Sequence, residues 1–213
     1  MYAPPHFRED RPAVLLDVLT SLGAATLITP TREDLAATFL PILVTGTADA
    51  PVLLAHVARA NPQWRDADRS QRALMVASGP NTYISPGWYP SKQVDGQVVP
   101  TWNYVHVQAH GMVEWVTDTD EKLAIVTALT DHHEQRRSDR PWAVDDAPAD
   151  WLKQRLAVIV GLRFRVDRLE GSFKLSQNQP EGNRDNVLQA LSTSTDEREI
   201  TVAREMERRP PSP

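Results

Sequence analysis

The feature that most constrains the fold is a run of alternating side chains between Pro100 and Val116. One set of alternate positions holds Trp102, Tyr104, His106, Gln108 and His110, and the positions between them hold Asn103, Val105, Val107 and Ala109. Successive side chains of a strand point to opposite faces, so the run predicts a long strand, bent at Gly111. Its aliphatic row is expected to lie on the interior face of the sheet. The aromatic row then points outward and must be covered by a partner subunit, the C-terminal helices or a bound aromatic ligand.

Shorter apolar runs separated by turn residues predict further strands at 24–29, 35–44, 52–57, 73–77, 81–85 and 162–166, with Pro41 at a sheet edge or a bulge. Helices are predicted at 12–22, 118–134, 146–161 and 180–191, with a short helical turn at 61–65. Short strands in succession favour an antiparallel barrel with peripheral α-helices, which is a mainly β, α+β fold. One domain is expected over 1–191, with its barrel core at 24–116 and helical and C-terminal elements at 117–191. A charged, flexible tail is expected at 192–213.

Composition excludes several classes of function. The chain has no cysteine, so disulfides, zinc–thiolate sites and cysteine nucleophiles are ruled out. A formal net charge of -5 argues against binding nucleic acid through a net-positive field. The first residues lack the apolar stretch of a signal peptide, and no apolar run is long enough to span a membrane. A cytoplasmic location without membrane association is therefore expected.

Residues 79–92 combine aromatic rings with hydroxyl, amide and lysine groups, which suits a flat, partly polar ligand. An aromatic plug at a barrel end or a dimer contact is an equally good interpretation. No glycine-rich phosphate loop is present, so a phosphate group would need side chains. The candidates are Arg59, Arg65, Lys92 and Lys174, each of which could instead be an ordinary surface charge.

The histidines do not predict a metal site. His106 and His110 lie four residues apart on a strand, about 13 Å at a rise near 3.3 Å per residue, which is too far to share one ion. His132 and His133 are adjacent on a predicted helix and point in different directions. His56 ends an apolar strand, where a packed core histidine and a ligand contact are both reasonable interpretations.

Several segments resemble the PaiB family of FMN-binding negative transcriptional regulators. They are MY with PHF in 1–7, LAHVARANPQW at 54–64, YISP with WY in 83–89, VPTWNY at 99–104, WAVDDAP at 142–148 and KLSQN at 174–178. These segments follow the family order over about residues 1–190. The resemblance implies a split β-barrel of the FMN-binding type that forms a homodimer, with the flavin held where two subunits meet.

The same resemblance implies a set of FMN contacts. They are His56, Arg59, Asn61, Trp64, Tyr83, Ser85, Trp88, Tyr89, Thr101, Trp102, Asn103, Tyr104, Lys174, Ser176 and Gln177. Two positions depart from the family pattern, because Phe39 stands where the family often has His and Phe173 where a Trp is common. Loss of a polar ring near the pocket would weaken flavin binding or alter the substrate.

The resemblance implies a flavin-bound negative transcriptional regulator. The chain shows no helix-turn-helix, so regulation through a partner or a small molecule is expected in place of direct operator contact. The basic clusters at 136–140, 163–165 and 208–209 are interpreted as solvated faces. The alternative is a flavin-dependent oxidoreductase acting on a small aromatic or nicotinamide-type substrate, with Tyr104, His106 or His56 moving a proton. Another planar ligand such as haem or F420 is a third hypothesis.

Overall fold

The protein is described by a computed structural model covering residues 1–137 and 139–210. Its packing divides into two compact units, each assembled from separate stretches of the chain. Unit 1 comprises Met1–Asp10, Ser78–Val107 and the described part of Glu170–Pro213, and unit 2 comprises Arg11–Ala77 with the described part of Gln108–Leu169. The prediction that 1–191 acts as one domain stays a prediction.

The strands of the described residues are β1 (Arg8–Glu9), β2 (Ala24–Pro30), β3 (Leu35–Pro41), β4 (Leu43–Gly46), β5 (Pro51–Ala58), β6 (Ala73–Ile84), β7 (Thr101–Val116) and β8 (Ile159–Lys174). The α-helices are α1 (Pro12–Leu22), α2 (Gln63–Asp66), α3 (Thr119–Glu134), α4 (Ala149–Ala157), α5 (Glu181–Ser192) and α6 (Glu197–Arg208). Short 3₁₀ turns occur at Pro5–Phe7, Pro86–Trp88, Pro90–Gln93 and Val144–Asp146. None of these helices is long and apolar enough to cross a membrane.

The strands form a sheet in the order β3-β2-β6-β7-β8-β5-β4, and β1 pairs with β8. The pairs β2–β3, β2–β6, β4–β5, β5–β8 and β1–β8 are antiparallel. Pro41 closes β3 at the sheet edge, where its missing N–H costs no ladder hydrogen bond. The expectation for Pro41 is confirmed.

In unit 2 the sheet is covered by helices. Leu15 and Leu19 of α1 are fully buried, as are Leu27 and Leu53 of the strands. A second apolar cluster is formed by Leu43, Val116, Ile125 and Leu129, which places the inner side of α3 against the sheet.

In unit 1 the helices α5 and α6 pack against each other. The fully buried side chains of these two helices are Val187, Leu191, Val202 and Met206. The structure therefore differs from the expectation of a flexible tail after Ser192. Charged residues dominate α6, but its few apolar side chains share one helix face, and Asp196 caps its start by accepting a hydrogen bond from the Arg198 N–H. Residues 211–213, where disorder was expected, lie outside the described residues.

Several predicted boundaries are confirmed. Helix α1 ends at Gly23, whose φ of 64° is the left-handed conformation that favours glycine. Helix α3 starts at Asp118, whose carboxylate accepts hydrogen bonds from the N–H groups of Asp120 and Glu121. The buried and outward positions of β7 alternate as predicted.

Three boundaries were wrong. The predicted strand 35–44 is divided into β3, which ends at Pro41, and β4, which begins at Leu43; the Ile42 N–H between them donates to the Gly23 carbonyl at 2.9 Å. The predicted strands 73–77 and 81–85 are one strand, β6, which continues through Pro80. The predicted helix 146–161 ends at Ala157, and Gly161 belongs to β8, where a Cβ would lie 2.9 Å from Ile125 Cδ1.

Candidate functional site

The outward face of β7 in unit 1 carries the aromatic residues that the sequence singled out. Trp102 is 48% exposed, whereas the neighbouring Asn103 and Val105 are buried. Tyr104 and His106 are partly exposed on the same face as Trp102. The ring centroids of Tyr83 and Trp102 lie 6.4 Å apart in an edge-to-face arrangement. This aromatic face is therefore available to a ligand or to a partner.

Strand β6 brings a second row of side chains beside this face. Its alternation shifts by one residue at Pro80–Asn81, so that Ser78 and Asn81 are both exposed while Gly79 and Thr82 are buried. Such a shift is the signature of a β-bulge, which re-aims the side chains that follow it. Pro80 suits this position because it has no N–H to give to the ladder.

A cavity of about 400 Å³ lies where β6 and β7 run side by side in unit 1. Its lining is formed by Met1, Ser78, Gly79, Asn81, Trp102, Tyr104, Val105 and His106. The Trp102 indole N–H donates to Asn81 Oδ1 at 3.2 Å, and the Asn81 amide donates to the Gly79 carbonyl at 3.0 Å. A volume of this size falls in the range of about 300–1,000 Å³ that is usual for small-molecule sites.

Two hydroxyl contacts complete the polar part of the cavity. Ser78 Oγ lies 3.4 Å from His106 Nδ1, and the Tyr104 hydroxyl lies 3.4 Å from Ser172 Oγ. Burial lowers the pKa of the His106 imidazole, so the ring is neutral at pH 7 and can accept a proton. The amino group of Met1 is 2.7 Å from a Glu170 carboxylate oxygen, which balances its charge.

Three of the predicted contacts, Ser85, Trp88 and Tyr89, lie in the turns after β6. Ser85 Oγ accepts from the Gly87 N–H at 3.1 Å and so begins the turn that carries Trp88. Tyr89 is 4% exposed, and its hydroxyl finds no hydrogen-bond partner among the described residues. Burial raises the pKa of Tyr89. The structure places Trp88 and Tyr89 outside the residues that line the cavity.

A polar cluster on the inner side of unit 1 contains the remaining predicted contacts of that unit. The Asn103 amide donates to Ser176 Oγ at 2.9 Å, and both side chains are buried. Gln177 accepts from the Leu175 N–H at 2.6 Å and donates to the Phe173 carbonyl. Lys174 Nζ donates to Thr101 Oγ1 at 2.5 Å. These groups already have internal partners, as buried polar groups require.

The predicted contacts Arg59, Asn61 and Trp64 follow β5 in unit 2, and their polar groups are also engaged. Arg59 Nε donates to the Ala157 carbonyl at 2.7 Å, and its guanidinium reaches the Ile159 carbonyl at 3.5 Å. The Trp64 indole N–H donates to the Arg59 carbonyl at 2.9 Å. Arg59 thus holds the end of α4, where the helix leaves carbonyl groups without helical partners.

Asn61 orders the turn that leads into α2. Its Oδ1 accepts from the Gln63 N–H at 2.9 Å, and its amide donates to Thr38 Oγ1 at 2.9 Å. Gln63, which the sequence did not single out, is 2% exposed and donates to the Leu27 and Ala36 carbonyls. This buried amide ties α2 to β2 and β3.

His56 differs from its neighbours because one of its ring nitrogens is unsatisfied. Nδ1 is buried and has no hydrogen-bond partner among the described residues. His56 lies opposite Gly161 in the β5–β8 register. Burial lowers the pKa of His56, which keeps the ring neutral. No group of three or more His, Asp or Glu side chains within the described residues is placed to hold a metal ion.

The structure therefore groups the predicted contacts in two units. Tyr83, Trp102 and Tyr104 lie at the unit 1 cavity or beside it, whereas His56, Arg59, Asn61 and Trp64 belong to unit 2. Gly79 and Asn81 belong to the segment 79–92 that was interpreted as a ligand-site candidate, but neither they nor Ser78 were among the individual contacts predicted. The Gly79-Pro80 pair was the available signal, since glycine and proline inside a strand pattern mark a bulge.

The two positions that depart from the family pattern lie in different surroundings. Phe39 is 70% exposed on the edge strand β3. Phe173 is 4% exposed, and the Arg209 guanidinium lies 4.9 Å from its ring centroid. Neither side chain is among those that line the cavity.

Comparison with known proteins adds a family and a fold to this geometry. A family described as "Putative FMN-binding domain" matches residues 1–168. The chain is 29% identical to the protease synthase and sporulation protein PAI 2 of Bacillus subtilis over 207 residues, which is 97% of each chain.

Two solved flavoproteins are similar in fold. The flavocytochrome Anf3 of Azotobacter vinelandii matches with a TM-score of 0.57 and 12% identity, over 79% of this chain and 69% of that one. The FAD and haem binding protein of Mycobacterium smegmatis matches with a TM-score of 0.55 and 16% identity, over 79% and 73%. The predicted fold class, an antiparallel split-barrel type with peripheral helices, is confirmed.

Proposed function

The chain belongs to the FMN-binding family that matches residues 1–168, and from this premise we propose that the cavity between β6 and β7 receives the isoalloxazine ring of FMN for redox chemistry on a small planar substrate. The predicted family and the predicted cofactor, FMN, are both confirmed. The position of the ring and the reaction are our proposals.

The lining of the cavity carries the proposal, because its residues fit a flavin ring. Trp102 and Tyr104 offer aromatic surface, while Asn81, Ser78 and His106 offer hydrogen-bonding groups. This combination of apolar area with a few fixed polar groups is typical of cofactor sites. No lysine or arginine is among the lining residues, so the phosphate group would be held outside the cavity. Lys92 is the better candidate in unit 1, because it is exposed whereas Lys174 bonds to Thr101.

FMN, when bound, supplies hydride or electron transfer, and the protein has to position the substrate and move protons. The neutral imidazole of His106 can accept a proton, and Ser78 is close enough to orient the ring. The Tyr104 hydroxyl can donate one, with Ser172 as its neighbour. A small aromatic or nicotinamide-type substrate would suit the remaining aromatic surface.

An apolar surface in unit 2 supports the proposed homodimer. The outward face of β3 carries Leu35, Ala37 and Phe39, and the first and last of these are 65% and 70% exposed. The register places Ile28 of β2 opposite Ala37, and Ile28 is followed across the sheet by Leu74 of β6. An edge strand with an exposed apolar face is a site for association, and a second copy of the chain is the occupant that we propose.

Regulation without direct DNA contact is the second candidate function. It is favoured by the likeness along 97% of the chain to a protein named for sporulation. The basic clusters at 163–165 and 208–209 have acidic partners: Arg163 contacts Glu114 and Glu121, Arg165 contacts Glu114, and Arg208 contacts Glu205. Paired in this way, they add little positive field for a phosphate backbone.

The proposed ring site is tested by measuring the affinity of the apoprotein for FMN. Quenching of the flavin fluorescence reports the binding. Trp102→Ala should weaken FMN binding by about tenfold or more, since stacking on an aromatic ring contributes about 1–3 kcal/mol per base in comparable sites. Trp142→Ala is the matched control, because Trp142 is 45% exposed and lies in unit 2. Equal affinities of the two variants would remove the ring from this cavity.

The two functions are separated by the reactivity of the bound flavin. Anaerobic mixing with NADH or NADPH should bleach the flavin in the redox hypothesis, and a small quinone should then restore its colour. A flavin that neither nucleotide reduces would leave the regulatory hypothesis ahead. DNA binding that weakens steeply with added salt would show direct operator contact and contradict our account of regulation.

A further inference from the structure

We infer that the side-chain amide of Asn81 recognises the imide edge of the flavin ring, where an N–H group lies between two carbonyl groups. The inference rests on the proposed placement of the ring between β6 and β7. It adds the residue that would select the polar edge of the ring.

The bulge in β6 places Asn81 at the cavity. Ser78 faces outward, so strict alternation would send Asn81 to the interior side of the sheet. The additional residue at Pro80 turns Asn81 outward, and Thr82 takes the buried position instead. Asn81 thereby becomes one of the residues that line the cavity.

Two hydrogen bonds fix the orientation of the Asn81 amide. Its oxygen accepts from the Trp102 indole N–H at 3.2 Å, and its nitrogen donates to the Gly79 carbonyl at 3.0 Å. An indole N–H can only donate and a carbonyl can only accept, so the two ends of the amide cannot be exchanged without losing both bonds. The orientation is therefore set before any ligand arrives.

The amide keeps one acceptor site and one donor after these bonds are made. An amide oxygen has two lone pairs and an amide nitrogen two hydrogens, and each internal bond uses one of them. The remaining acceptor and donor match the N–H and the carbonyl of an imide. Among the lining residues, Asn81 alone has a side-chain amide. We therefore assign to Asn81 the paired hydrogen bonds to the N–H and carbonyl of the imide.

The test compares FMN with N3-methyl-FMN, in which the imide hydrogen is replaced. We expect wild-type apoprotein to bind FMN about tenfold more tightly, which is the effect of one neutral hydrogen bond. Asn81→Ala should reduce this preference to within about twofold. Asn186→Ala, on an exposed position of α5, is the control for the substitution itself.

The preference between the two ligands distinguishes recognition from a structural effect. If Asn81 had only a structural role, Asn81→Ala would weaken the binding of both ligands equally and leave the preference for FMN unchanged. That result would overturn the inference. Loss of all binding in Asn81→Ala would count against it in the same way. Failure of the wild-type protein to bind FMN would instead refute the proposed ring site.

Discussion

Arg59 has a structural role at the residue scale, whatever its part in cofactor binding. Its guanidinium donates to the Ala157 carbonyl at the end of α4 and to the Ile159 carbonyl at the start of β8. Arg59→Ala should lower the free energy of unfolding by about 1–2 kcal/mol, since it removes these two hydrogen bonds. Urea unfolding of apoprotein measures the change as a lower midpoint at constant slope.

Arg65→Ala is the matched control for Arg59. Arg65 is exposed, and its guanidinium lies 5.4 Å from the Trp64 ring centroid, much as that of Arg59 does at 5.9 Å. An exposed cation–π contact contributes about 0.5–1 kcal/mol, so the control should lose no more than that. Equal midpoints for the two variants would show that the contacts to α4 do not stabilise the fold. The predicted FMN contact is judged separately, by flavin affinity of folded Arg59→Ala.

His56 couples folding to pH. Its pKa is lowered in the folded state by burial, so the unfolded chain binds more protons below about pH 6.5. Stability is therefore full above that pH and falls as the pH drops through the unfolded value toward the lower folded value. His56→Phe removes the titrating imidazole. The urea midpoint of this variant should therefore fall less between pH 7.5 and 5.5 than the midpoint of the wild type. A decline as steep as that of the wild type would contradict the prediction.

At the scale of elements, α6 is a packed helix, and its contribution can be measured. Met206 is fully buried, and its sulfur accepts a weak hydrogen bond from the Asn103 amide at 3.7 Å. Met206→Ala should cost about 2–5 kcal/mol, as other large-to-small core substitutions do. Glu207→Ala, on the exposed side of the same helix, should change the free energy of unfolding by less than about 0.5 kcal/mol. A stable Met206→Ala variant would mean that α6 does not pack as described.

Elements with a complete local pattern could be predicted from the sequence. The alternation along β7 and the Asp118 and Gly23 ends of helices are local signals, and the structure follows them. Gly161 shows the limit, since the same residue type ends a helix or allows close approach in a strand, and only the neighbouring Ile125 decides. Met206 and Val187 are buried because α5 and α6 pack together, and the sequence of either helix alone does not predict this packing.

The candidate site was predictable in part for the same reason. Trp102 and Tyr104 stand out by residue type and by period, and both line the cavity. Asn81 lies in the segment 79–92 interpreted as a ligand-site candidate, but it was not among the individual contacts. Its outward position depends on a bulge, and the sequence predicted a break between two strands there. Arg59 was predicted from its charge and from the family resemblance, and neither reveals that its guanidinium already donates to backbone carbonyls.

At the scale of the whole molecule, the proposed homodimer can be tested through its interface. The exposed apolar face of β3 is the surface that we expect a second copy to cover, because its burial would remove Phe39 and Leu35 from water. Introducing a glutamate at each position places like charges across a symmetric interface. The double variant Leu35→Glu and Phe39→Glu should raise the dimer dissociation constant by at least about 100-fold, and sedimentation equilibrium can measure it.

The control must change the charge of the protein equally without touching that face. Val94 and Val99 are 84% and 73% exposed in unit 1, so the double variant Val94→Glu and Val99→Glu provides it. Since both variants make the net charge of -5 more negative by the same amount, long-range repulsion affects them alike. A loss of dimer in the β3 variant alone therefore assigns the interface to that strand. Equal dissociation in both variants would place the interface elsewhere, and a monomeric wild-type protein would reject the homodimer itself.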